Sequence, residues 1–94
     1  MIETRLGEFE EVILLVAGIL EQDEAYALKI AEEFKRQTMR DVSIGAVHST
    51  LDRLEQKGFV TSEMGKATAI RGGRRKRIFT IPALGKRVLK EAMD

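Results

Sequence analysis

The chain has no cysteine and no tryptophan, one proline, one histidine, one tyrosine and four phenylalanines. Without cysteine there is no disulfide, no thiolate nucleophile and no thiolate zinc site. His48 alone leaves no nucleophile–base pair of the usual kinds. Long apolar runs are also missing. The longest, residues 12–20, contains Gly18 and falls well short of the ~20 residues that cross a bilayer. No basic start precedes a cleavable apolar segment, so neither a membrane association nor a secretory signal is expected, and the expected location is cytoplasmic.

Phosphate and cofactor signatures fail on inspection. Gly65-Lys66 looks like the end of a phosphate loop, but Val60 stands where that loop needs its first glycine. Ala67 also replaces the required Ser or Thr, and Gly72-Gly73 is no dinucleotide fingerprint. The carboxylates fall on the polar sides of the predicted helices, where solvation explains them. The reading is therefore of a protein that is not an enzyme, with no cofactor and no metal site.

Charge is present but unevenly placed. The net value of +1 is uninformative, yet residues 1–65 carry 7 Lys/Arg against 13 Asp/Glu. Residues 66–94 carry 9 against 2, with no acid between Glu63 and Glu91. A basic block on an otherwise acidic chain suits a polyanion or a solubilising surface.

The 94 residues fit one domain, 1–94. Leu6, Phe9, Ile13, Val16 and Leu20 recur at helical spacing and predict a helix over 6–21. Val12, Leu15 and Ile19 add a second stripe, a face broad enough for a central core helix or for a subunit contact. Part of it is read as the latter. A second helix is predicted over 23–37, with Asp23 as N-cap and Tyr26, Ile30 and Phe34 along one side. The third starts at Ser43 as N-cap, with Val42 and Val47 at staple spacing. Its buried stripe would be Ile44, Val47, Leu51 and Leu54, and Gly58 is its C-terminal stop. Beyond Gly58 the spacing predicts strands over 59–65 and 77–81, joined by the long loop 66–76. Pro82 then opens a last helix, about 82–94. The expected fold class is mainly α with a small β-hairpin, a winged helix-turn-helix.

In such a unit the second of the two linked helices enters the DNA major groove with its N-terminal residues at base edges. The outward positions are Gly45, His48, Ser49, Asp52 and Arg53. Gly45 allows close backbone approach, His48 and Ser49 can exchange hydrogen bonds, and Arg53 can reach a guanine or a phosphate. Asp52 would repel phosphate and is expected to pair with Arg53 or Gln56. At the loop, Gly72-Gly73 is surrounded by Arg71, Arg74, Arg75 and Lys76, with Lys66 before it, which suits a negatively charged groove. A recognition helix followed by a basic wing points to double-stranded DNA.

The residues carrying that pattern resemble the PadR family of bacterial transcriptional regulators. The resemblance lies in 6–10 (LGEFE), 25–30 (AYALKI), 42–58 (VSIGAVHSTLDRLEQKG) and 71–77 (RGGRRKR). It implies a winged-helix repressor that forms a homodimer through its terminal helices, about 6–21 and 82–94. It also implies operator contacts from Ser43, Gly45, His48, Ser49, Arg53, Arg74 and Arg75. Tyr26 would bond a phosphate by the same resemblance, although its spacing equally allows a core place. Three departures stand out: His48 where relatives often have tyrosine, Ala27 for a common glycine, and Ile81-Pro82 for Leu-Thr. The last helix is also short, which favours the first helix as the subunit contact and weakens the analogy to a small-molecule effector site. The expected function is a sequence-specific repressor on an inverted-repeat operator. The rival is a protein–protein interaction module with an incidental basic loop. RNA binding is disfavoured because the few aromatics sit in apolar stripes.

Overall fold

A computed structural model describes residues 6–21, 25–65 and 76–93. Along the chain run α1 (Glu8–Leu20), α2 (Ala27–Thr38), α3 (Ile44–Gln56), β1 (Thr61–Met64), β2 (Arg77–Thr80) and α4 (Ala83–Met93). The strands pair antiparallel, with Thr61 opposite Thr80 and Met64 opposite Arg77. This order of three helices, a hairpin and a helix is that of a winged helix-turn-helix.

The first helix lies at the centre, touching α2, α3, α4 and β2. Ile13, Val16 and Leu20 of the predicted stripe are buried, and so are Leu14 and Ala17, because neighbours surround the helix. Each aliphatic or aromatic side chain fully withdrawn from water contributes ~1.5–3 kcal/mol. Phe9 is half-buried and meets the Phe34 ring edge-on at 5.5 Å. The second stripe divides. Val12 packs on the core, Leu15 is half-buried, and Ile19 is 53% exposed.

The start of α2 corrects the expectation from spacing. Asp23 lies outside the described residues, and the helix begins at Ala27 with Tyr26 in extended backbone at the N-cap, φ −120° and ψ 165°. The cause is long-range pairing: the Phe79 N–H donates to the Ala25 carbonyl at 2.8 Å, so Ala25 joins the hairpin edge instead of a helix. Tyr26 is consequently half-buried beside the core rather than within its stripe.

Both ends of α3 follow the sequence closely. The Ser43 hydroxyl accepts from the Ala46 N–H at 3.0 Å, and Val42 packs on the core. At the far end Gly58 takes φ +84°. Its N–H donates to Glu55 at 3.0 Å while the Phe59 N–H reaches back to Leu54 at 2.9 Å. That pair of hydrogen bonds is a Schellman stop, which needs the left-handed backbone that glycine adopts without strain. One expectation fails here. Ile44 is exposed, bordering an open hollow lined also by Leu28, Ala31 and Val42, and the fully packed positions are Val47, Thr50, Leu51 and Leu54.

Phe59 and Val60, placed in the first strand by spacing, are buried residues of the turn before β1. Pro82 precedes α4, and its carbonyl accepts from the Lys86 N–H at 3.0 Å. Within α4, Val88 is buried and Gly85 lies directly on the chain at Phe59. A Cβ there would stand 2.0 Å from the Phe59 carbonyl oxygen, so only glycine permits this approach.

Candidate nucleic-acid interface

Burial of Val47, Thr50, Leu51 and Leu54 turns the opposite side of α3 to solvent. Ser43, Gly45 and Ser49 are exposed there, and His48 is half-buried. A Cβ built on Gly45 would meet nothing within 4 Å, leaving the backbone of the first turn open to approach. Neither α2 nor α3 carries an acid in its first turn, so no carboxylate there offsets the partial positive charge of the helix start.

The predicted basic residues are placed differently from one another. Lys66, Arg71, Arg74 and Arg75 lie outside the described residues. Lys76 is exposed at the foot of the hairpin, where its carbonyl accepts from the Gly65 N–H at 2.7 Å. Its ammonium stands 4.2 Å from the Tyr26 ring centre, and Lys29 approaches the same ring at 5.9 Å. Wing and helix-turn-helix therefore meet at the half-buried Tyr26, where two lysines gather that sequence spacing left unconnected.

Arg53 is drawn the other way. Its side chain is 55% exposed, but Nε lies 3.6 Å from Glu10 and its terminal nitrogen donates to Thr50 Oγ1 at 3.3 Å. Glu10 is itself nearly buried, contrary to its expected solvated place. It accepts from the Gly7 N–H at 2.9 Å and from Lys57 Nζ at 3.2 Å. Burial pushes the Glu10 carboxyl up, but the Gly7 N–H, Lys57 and then Arg53 outweigh that and hold it below its ordinary 4.5.

Asp52 also departs from expectation. Its partner is neither Arg53 nor Gln56 but Arg77 of β2, at 3.1 Å. The same guanidinium bonds Glu55 of α3 and donates from Nε to Ser62 Oγ of β1 at 3.1 Å. Spacing did carry one signal, because Arg77 and Phe79 alternate onto one face of the strand, and the guanidinium sits 5.0 Å from the Phe79 ring. Which helix that face would meet was not readable.

Other chemistry finds little footing. Among the described residues no group of three or more His, Cys, Asp or Glu is placed to hold a metal ion. No described helix is long and apolar enough to cross a membrane. A cavity of about 190 Å³ lies between Phe9, Val12, Phe34 and Arg40, below the ~300–1,000 Å³ usual for small-molecule sites.

Similar structures share this architecture. A PadR-like transcriptional regulator from Bacillus cereus is 23% identical, with 88% of this chain and 75% of that chain covered and a TM-score of 0.69. A PadR family transcription regulator from Clostridium difficile is 25% identical over 88% and 82% of the two chains, at 0.66. Bacillus subtilis PadR in complex with operator DNA is 21% identical over 90% of this chain and 47% of that one, at 0.70. No curated protein matches. The model of the transcriptional regulator PadR-like family matches residues 16–91. With most of its length so matched, the chain belongs to the PadR-like family of transcriptional regulators.

Proposed function

We propose that the protein is a homodimeric repressor that binds double-stranded DNA at an inverted-repeat operator. The observation that carries this reading is the meeting of Lys76, at the foot of the wing, with Tyr26, at the start of α2. It joins the foot of the wing to the helix-turn-helix unit at a basic contact point. In this reading Ser43, Gly45, His48 and Ser49 meet base edges, with Arg53 at the flank. Lys66, Arg71, Arg74, Arg75, Lys76 and Tyr26 hold phosphates. Positioning contacts of the second kind release counterions and make affinity depend steeply on salt.

Pairing of two copies is supported by the apolar surface left on the terminal helices. Ile19 is exposed, and Leu15 and Leu89 are half-buried. A two-fold dimer would set two α3 helices in successive major grooves, ~34–36 Å apart. The wing and helix act within one winged-helix unit spanning 1–94, and repression follows from occupying promoter DNA.

The experiment is a fluorescence titration of the full chain with random-sequence duplex at low and rising salt, followed by footprinting of the promoter of its own gene. The proposal requires binding that weakens linearly in log salt and a protected site with two related halves. No binding at low salt would sink it and leave the protein-interaction reading.

A further inference from the structure

Arg77 is a basic residue of the wing whose charge is already committed. All three nitrogens of its guanidinium are engaged: Nε with Ser62, one terminal nitrogen with Asp52 at 3.1 Å, the other with Glu55. Ser62 in turn donates to the second Glu55 oxygen at 2.8 Å, and the Phe79 ring backs the group at 5.0 Å. The side chain is only 35% exposed. The fork therefore joins β2, β1 and α3 at one point.

We propose that Arg77 is a positioning residue of the DNA-reading surface, setting the wing at a fixed angle to α3 and masking the two carboxylates that α3 would otherwise turn toward phosphate. The inference rests on the DNA-binding reading. Three separate features support it. Asp52 and Glu55 are the described acids on the wet flank of α3, and an unmasked acid there repels the backbone of DNA. A planar guanidinium bonded at once to two carboxylates and a hydroxyl locks orientation in a way that a lysine ammonium does not. Arg77 also opens β2, immediately after Lys76, so its anchoring fixes where the loop leaves the domain.

A phosphate-contacting arginine and a positioning arginine behave differently. The first adds to the salt slope and strengthens binding to every sequence alike. The second acts through its carboxylate partners and sharpens discrimination.

The test is a double-mutant cycle in the full chain, using Arg77→Met and the pair Asp52→Asn with Glu55→Gln. Two probes are titrated: the tightest duplex recovered from a randomised library, and the unselected pool. Arg77→Met should weaken the selected duplex about tenfold and the pool, which feels only the repulsion from the two bared acids, about threefold. In the background lacking both acids the same substitution should cost the selected duplex less than about twofold. Arg77→Lys, which keeps charge without the fork, should fall between. Because the chain has no cysteine, spin labels at Gln56→Cys and Glu63→Cys report the helix–wing distance directly. That distribution should be narrow in the parent and broad with Arg77→Met. An equal loss on both probes with a shallower salt slope, an undiminished cost in the acid-free background, or an unaltered distance distribution overturns the inference alone. Failure of the parent to bind either probe overturns the DNA reading and the inference with it.

Discussion

Lys57 Nζ lies 3.2 Å from both carboxylate oxygens of Glu10, joining the end of α3 to the first turn of α1. Glu10 is the buried partner, so its charge depends on this company. Its pKa is held below the ordinary value, so the folded state binds fewer protons than the unfolded one in that range. The pair thus stabilises fully above about pH 4.5 and loses its effect as pH falls through the folded value. Glu10→Gln should cost about 1–2 kcal/mol at neutral pH, since Lys57 retains some access to water. It should also flatten the acid limb of a urea-unfolding profile between neutrality and acid. Parallel profiles for the two proteins would refute the linkage.

Gly85 and Gly45 should respond to alanine in opposite senses. At Gly85 the new Cβ would lie 2.0 Å from the Phe59 carbonyl, so α4 must move away. The cost should be at least ~1–3 kcal/mol in thermal unfolding. At Gly45 there is open space, and Gly45→Ala should raise stability by ~0.5–1 kcal/mol. Its DNA affinity should fall nonetheless. A Gly45→Ala protein that binds as well as the parent would show that the backbone makes no close approach there.

Ser43 separates capping from recognition. Ser43→Ala removes the bond to the Ala46 N–H and should cost about 1 kcal/mol. Ser43→Asp keeps a cap but sets a negative charge on the proposed interface. Unfolding should then be close to that of the parent, while a DNA titration should show a marked loss. Retained binding would remove Ser43 from the contact surface.

In the wing, replacing Arg74 and Arg75 together with alanine should weaken binding to all sequences and lower the salt slope by up to about two. Ser49→Ala and His48→Ala should instead alter which duplexes a library selection returns. A double wing variant with the parent's slope would exclude those arginines as phosphate contacts.

The sequence made legible what is set by neighbours a few residues apart. Ser43 as cap, Gly58 as stop, and Val47, Leu51 and Leu54 as the packed stripe all follow from local geometry. Ends and distant partners were harder. Ile44 fits the stripe by spacing, yet it borders an open hollow against α2 and stays partly in water. The bond from Phe79 to Ala25 shortens α2, and nothing near Ala25 announces it. Likewise Glu10, with Lys57 as its partner, and Arg77, with Asp52 and Glu55, are pairs assembled only by the fold. Gly85 has no left-handed backbone to betray it, only a carbonyl from another part of the chain.

The bridge between Ala25 and Phe79 has a kinetic consequence. It joins segments on either side of the entire α2–α3 unit in the sequence, so closing it requires ordering a large loop first. Helices can form locally and early, whereas the hairpin's final seating must wait for them, and non-local closures of this type slow folding. The Phe79 amide should accordingly be among the last to gain protection from hydrogen exchange during refolding.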